Sequence, residues 1–361
     1  MTNMKAALAP DLNRRLQEGT VIPAHPLALN EKGKLDEQRQ RLLTRYYLAS
    51  GAGGVAVGVH TTQFEIRKPE FNLLEPVLQV AAEEIDRFSD GHKIIKVAGI
   101  TGPRSQAIRE AELARRYGYH LGLVSMGGLS SLSETELVER AVAISDIIPI
   151  FGFYLQPAVG GRLLSYRFWR DLSDIPNLYA IKVAAFNRYQ TLDVVRAVCD
   201  SPRRDEIALY TGNDDNIVAD LLTPYQFVVN GTHFRKEFVG GLLGHWAVWT
   251  SVAVQLLQQI KAGRGSRNSS LLPLLQTGVH ITDMNAALFD PVNNYRGCIA
   301  GIHEILFRQG LLTNTACLNP EEKLSPGQAA EIDRVCRQYP ELTDDEFVKD
   351  FLEKEKTPHL S

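Results

Sequence analysis

The chain has 361 residues, 44% of them hydrophobic, enough to bury a large core and to fit one barrel-sized domain with additions. Thirty-nine lysines and arginines against 42 aspartates and glutamates leave a formal charge of −3 with no long block of one sign, so nothing points to nucleic acid or another polyanion as partner. Cys199, Cys298, Cys317 and Cys336 form no Cys-x-x-Cys pair, which argues against a zinc ribbon, a dithiol site or a disulfide framework and fits a reducing cytoplasm.

Residues 1–19 form an N-terminal segment with Asp11, Arg14, Arg15 and Glu18 and without the apolar core of a signal peptide, so a cytoplasmic location is expected. From residue 20 the sequence alternates strand-like apolar runs with helix-like periodic runs, the pattern of a parallel sheet with crossover helices. The strand candidates are residues 20–25, 54–60, 93–99, 119–125, 148–155, 178–183, 207–211 and 226–230. Helical patterns between them include residues 36–49, 75–88, 104–117, 134–145 and 188–199, and Ser133-Glu-Thr-Glu136 has the form of a capping box at the start of the fourth. Eight such units predict an α/β fold, a (β/α)8 TIM barrel over residues 20–235, in preference to an open doubly wound sheet.

Beyond residue 234 the alternation stops, and helical patterns over residues 238–260, 283–289, 298–309 and 326–338 predict a C-terminal helical region, 236–361. Its most membrane-like window, residues 242–257, is interrupted by His245, Thr250, Ser251 and Gln255, so no membrane span is expected.

In a barrel the chemistry lies where the strands end. That rule selects His60, Thr61 and Thr62 after the second strand, Tyr154 near the end of the fifth, Lys182 in the sixth, Gly212 to Asp214 after the seventh and Asn230 at the end of the eighth. Lys182 stands in Leu178-Tyr-Ala-Ile-Lys182-Val-Ala-Ala185. Either its stem snorkels to water, or its amine is held where desolvation favours the neutral, nucleophilic form. Adjacent parallel strands would let the Tyr154 phenol and the Lys182 amine share one pocket.

Assembled at one barrel face, these residues make the sequence resemble the dihydrodipicolinate synthase and N-acetylneuraminate lyase family of Schiff-base aldolases, over roughly residues 20 to 310. The family's Gly-Thr-Thr-Gly-Glu motif stands here as His60-Thr61-Thr62-Gln63-Phe64-Glu65, its Tyr-Asn-x-Pro motif as Tyr154-Leu155-Gln156-Pro157, and its Gly-x-Lys motif as Ala180-Ile181-Lys182. Thr211-Gly-Asn-Asp-Asp215 and Asp290-Pro-Val-Asn-Asn294 are further echoes.

The resemblance implies that Lys182 attacks the keto group of pyruvate or a related 2-oxo acid, and that the iminium serves aldol cleavage or condensation with an aldehyde. It further implies that Tyr154 relays protons and that Thr61 and Thr62 hold the substrate carboxylate, with His60, Gly212 and Asn230 as further substrate contacts. No cofactor and no metal are expected, and a homo-oligomer, tetramer or dimer, is. Two departures stand out: Ser125-Met-Gly-Gly-Leu129 replaces the segment with a second relay tyrosine, and Ala158-Val-Gly-Gly161 replaces the arginine many synthases use for a second carboxylate, although Arg162 lies close. Sugar-acid dehydration through the same iminium, a metal-assisted barrel enzyme and a non-catalytic small-acid binder are the alternatives.

Overall fold

The computed structural model describes residues 7–89, 91–229, 231–265 and 270–356. Its centre is an eight-stranded parallel sheet made of β1 (Val21–Pro23), β2 (Gly54–Val57), β3 (Ile95–Ile100), β4 (Leu121–Val124), β5 (Ile150–Leu155), β6 (Leu178–Ala184), β7 (Ala208–Thr211) and a last strand, Phe238–Leu243. The last strand pairs in parallel with both β7 and β1. A bridge between Ala24 and Ala56, with the His25 N–H donating to the Ala56 carbonyl at 2.8 Å, brings β1 to β2 and closes the ring. The expected (β/α)8 barrel with a C-terminal helical extension is thus the fold.

The helices follow from local sequence. Asp36 caps α2 (Glu37–Ala49) by accepting from the Arg39 N–H, and Asn187 caps α7 (Arg188–Cys199) by accepting from Tyr189 and Gln190. The Ser133–Glu136 capping box opens α5 (Glu134–Ser145): each partner's side chain accepts from the other's backbone N–H. The helix ahead of the barrel, α1 (Pro10–Glu18), sends Leu12 and Leu16 into the barrel interior with Ile22, Val97, Phe151 and Tyr210, and Tyr210 donates to the Leu16 carbonyl at 2.9 Å. The N-terminal segment is therefore the floor of the barrel. Gly19, at φ +81, makes the turn into β1; a Cβ there would lie 1.8 Å from the Val239 carbonyl oxygen.

The eighth barrel strand is a correction to the sequence reading, which placed it at residues 226–230. Tyr225–Val229 (β8) instead pairs antiparallel with Thr232–Lys236 (β9) in a separate hairpin, and the closing strand Phe238–Leu243 (β10) follows, in a stretch expected to be helical. In β8 half-buried and exposed positions alternate, which suits an outlying ribbon and not a strand covered on both faces. The glycine pair in β10 weakens its strand signal, yet it is needed: a Cβ on Gly240 would lie 2.4 Å from the Thr20 carbonyl oxygen.

The window once closest to a membrane span divides between the end of β10, a turn at His245–Ala247 and α9 (Thr250–Gly265). Among the described residues no helix is long and apolar enough to cross a membrane. The other barrel helices are α3 (Leu74–Phe88), α4 (Arg104–Arg116), α6 (Tyr166–Leu172) and α8 (Ile217–Leu222), and those of the extension, α10 (Leu272–Phe289), α11 (Cys298–Arg308), α12 (Gln328–Gln338) and α13 (Asp345–Lys356), pack against the barrel and each other.

Candidate active site

Strand alternation decides which side chains can meet. On β5, Phe151, Phe153 and Leu155 pack in the barrel interior, whereas Ile150 and Tyr154 belong to the core between sheet and helices. On β6, Ala180 and Ala184 are interior while Ile181 and Val183 face the helices, so Lys182 points inward between two small residues that leave it room. The registers agree: Phe153 is opposite Lys182, and Tyr154 opposite Val183.

Lys182 is 8% exposed, and its Nζ lies 4.5 Å from the centre of the Phe153 ring. It sits on the wall of a pocket of about 570 Å³, open mouth included, at the carboxyl ends of the strands. His60 and Thr61 after β2, Gly212 and Asp214 after β7 and Gly244 after β10 share that wall. The floor beside the lysine is tight, since a Cβ on Gly212 would lie 2.5 Å from Lys182 Cε.

Burial lowers the Lys182 pKa from the ordinary lysine value, an effect partly opposed by the negative charge of Asp214. Burial likewise raises the Asp214 carboxyl, against the pull of the His245 N–H and Lys182. The two groups titrate as a pair, driven by desolvation towards neutral amine and neutral acid. Asp214 is held in place: its Oδ1 accepts from the His245 N–H at 3.0 Å, and its carbonyl accepts from Asn285 Nδ2 at 2.7 Å. The His60 imidazole is pushed down to about 4 by burial and by the Lys182 charge, so it is neutral at pH 7.

The expected residues separate into two groups. Lys182, His60, Thr61 and Gly212 are brought together in the pocket. Tyr154 is not: it is fully buried outside the barrel, stacked on Trp169 with ring centres 5.1 Å apart, and its hydroxyl accepts from the Leu164 N–H at 3.5 Å. Thr62 is also structural, its hydroxyl donating to the His25 carbonyl at 2.6 Å and accepting from the Gly58 and Val59 N–H groups. Asn230 lies outside the described residues.

Thr61 Oγ1 donates to the Ala24 carbonyl at 2.7 Å, which occupies its proton; in the His60–Thr62 3₁₀ turn the Thr62 N–H donates to the Val59 carbonyl at 3.0 Å, while the His60 and Thr61 N–H groups that open the turn have no partner inside it. Arg162 donates to the Leu129 and Leu132 carbonyls at 2.8 and 2.9 Å, so it is committed to the loop that replaces the second-tyrosine segment.

Asp214, which the strand-end rule also selects, lines the pocket too, as do Gln156, Tyr295 and Cys298, which the sequence reading does not assign to it. The Thr-Gly-Asn-Asp-Asp echo already marked Asp214. Tyr295, at φ +63, meets the Phe186 ring edge-on, and nothing in its turn sequence marks it as folding back over the barrel. Among the described residues no group of three or more His, Cys, Asp or Glu side chains is placed to hold a metal ion.

Fold and site together define a (β/α)8 barrel with a buried lysine and a half-buried aspartate in one pocket at the carboxyl ends of the strands. No family model matches the chain. The N-acetylneuraminate lyase of Citrobacter koseri is 26% identical over 205 residues, 56% of this chain and 65% of that enzyme, so the match spans less than two thirds of the relative.

Among solved structures, YagE, a prophage protein of the dihydrodipicolinic acid synthase family from E. coli K12 in complex with pyruvate, superposes with a TM-score of 0.70 at 18% identity, covering 89% of this chain and 98% of that one. Dihydrodipicolinate synthase from Oceanobacillus iheyensis gives 0.71 at 17% identity over 91% and 99%, and N-acetylneuraminate lyase from Fusobacterium nucleatum 0.69 at 16% over 90% and 99%. The structural neighbours are thus members of the dihydrodipicolinate synthase and N-acetylneuraminate lyase family, and the resemblance read from the motifs holds in the fold.

Proposed function

We propose that the protein is a carbon-carbon lyase of the Schiff-base type, acting on pyruvate or a related 2-oxo acid through an iminium on Lys182. The observation that carries this reading is the lysine itself: a buried amine in the carboxyl-terminal half of β6, sharing a pocket with the Asp214 carboxyl group, with burial pushing each group towards its neutral form. The relative that bears an N-acetylneuraminate lyase's name, and the family member solved with pyruvate, support the same chemistry.

In this reading the neutral Lys182 amine adds to C2 of the 2-oxo acid to give a carbinolamine. Asp214, as the acid, protonates the departing hydroxyl, water leaves, and the iminium forms. The resulting carboxylate takes a proton from C3, and the electron pair of that C–H bond moves into the enamine. Enamine C3 then attacks an aldehyde carbon while Asp214 returns the proton to the aldehyde oxygen; water releases the 4-hydroxy-2-oxo acid and the lysine. Cleavage is the reverse. Asp214 thereby takes the relay role for which Tyr154, outside the barrel, is not placed. The backbone N–H groups opening the His60–Thr62 turn hold the substrate carboxylate, with neutral His60 as a further hydrogen-bonding group.

Incubation with pyruvate and borohydride, followed by intact-mass measurement, tests the reading. A stable mass increase in the wild type that is missing in Lys182→Ala is expected. An increase that survives Lys182→Ala, or no increase with pyruvate and a panel of 2-oxo acids, refutes the reading and favours a binding protein. Further copies of the chain are proposed as partners, and light scattering that finds a monomer refutes this.

A further inference from the structure

Apart from Lys182, Asp214, His60 and Thr61, the pocket wall is mostly apolar. Phe153 and Leu155 come from β5, Val159 and Phe186 from the segments following β5 and β6, and Phe289 and Ile302 from α10 and α11. The wall is therefore assembled from both the barrel and the helical extension. Phe186 is fixed there by its backbone, at φ +51 with its N–H donating to Asn213 Oδ1 at 2.9 Å, and its ring meets Tyr295 edge-on at 6.0 Å.

The polar groups on this wall are few. Asp214 receives the His245 N–H and the Thr61 hydroxyl donates to the Ala24 carbonyl, and the other polar side chains, Gln156, Tyr295 and Cys298, offer no positive charge. Among the described residues the basic side chains on the wall are Lys182, which the 2-oxo acid consumes, and His60, which burial keeps neutral at pH 7. The nearby Arg162 is turned away to two backbone carbonyls. A carboxylated aldehyde would thus lose its hydration without gaining a counter-charge, and a polyhydroxylated one would leave hydroxyls unpaired against aromatic and aliphatic carbon.

We infer that the second substrate is an aldehyde with an apolar aliphatic or aromatic substituent, condensed with the 2-oxo acid or released from the corresponding 4-hydroxy-2-oxo acid. The inference rests on the Schiff-base reading and deepens it. The carbon-carbon bond joins enamine C3 to the aldehyde carbon, and the substituent itself takes no part in the electron bookkeeping. It only fills the wall described above.

The test uses the intact protein with pyruvate and, separately, butanal, benzaldehyde, glyceraldehyde and succinic semialdehyde, following the 4-hydroxy-2-oxo acid by mass spectrometry. The expected result is a kcat/KM about tenfold or more higher for butanal and benzaldehyde than for the other two, the scale on which apolar pockets discriminate. Val159→Arg should shift the ratio towards succinic semialdehyde by giving its carboxylate a partner. Glyceraldehyde or succinic semialdehyde equalling the apolar aldehydes overturns the inference. So does a borohydride-trapped pyruvate adduct on Lys182 with no turnover of butanal or benzaldehyde, an outcome that leaves the Schiff base standing. Absence of any adduct overturns the Schiff-base reading and the inference with it.

Discussion

At Lys182 the cost of charge in a buried site sets both reactivity and stability. Its pKa lies below the ordinary 10.5, so the neutral amine should dominate at lower pH than for a free lysine. Borohydride-trappable adduct should accordingly reach its half-maximal rate of formation well below pH 10.5, and a midpoint at 10.5 would show the amine to be solvated. Because the negative charge of Asp214 raises the lysine, Asp214→Asn should move that midpoint further down while slowing turnover by about 10²-fold or more, the scale of a lost acid-base group. The folded protein holds fewer protons on this group than the unfolded chain between the lowered pKa and 10.5, so stability rises with pH across that window and the full cost is present below it. Lys182→Met, which removes the buried amine, should therefore raise stability at pH 7 by about 1 kcal/mol in thermal unfolding while abolishing the adduct.

The element that presents Tyr295 and Cys298 to the pocket is the turn between α10 and α11. It hangs on Asp290, a residue at φ +55 whose carboxylate accepts from Asn293 Nδ2, the Gly297 N–H and the Ser325 hydroxyl, and whose carbonyl accepts from the Tyr295 N–H at 3.0 Å. Asp290→Ala leaves those donors unpaired in a largely buried place. It should cost about 2 to 3 kcal/mol in urea unfolding and raise KM more than it lowers kcat, since the turn borders the pocket and carries none of the proposed chemistry. An unchanged KM would show that the turn does not shape the site. The β8–β9 hairpin is the other element whose placement matters. Asn230-Gly231 is a strong two-residue turn signal in the sequence, standing between the runs that pair as β8 and β9.

For the whole molecule the decisive contact is the seam between β10 and β1. The backbones approach so closely at Gly240 that a Cβ would lie 2.4 Å from one Thr20 backbone atom and 2.7 Å from another. Gly240→Val should therefore destabilise the barrel by about 3 kcal/mol in chemical denaturation, with loss of adduct formation in proportion to the unfolded fraction. Little change would mean that the seam can open without cost. The floor is a second global feature: α1 fills the N-terminal end of the barrel, leaving the carboxyl ends of the strands as the face where a pocket forms.

The sequence by itself determined the alternation of strands and helices, the capping box that starts α5, and the placing of Lys182 in the sixth strand and of His60, Thr61, Gly212 and Asp214 at strand ends. These are local properties, set by hydrophobic period, capping chemistry and position along the chain. Only the tertiary structure decided which way each strand faces. All six residues of β5 are buried, so its period of two is silent in the sequence, and one step of register separates a phenol beside the lysine from a phenol against Trp169. Only the tertiary structure, too, chose the glycine-rich Phe238–Leu243 to close the ring, because the advantage of glycine there is the nearness of Thr20, some 220 residues away in the chain. It also set Asp214 in the same pocket as the lysine and placed Tyr295, Phe289 and Ile302 on its wall. Their contribution is long-range burial and charge, which exists only once the helical extension has packed on the barrel.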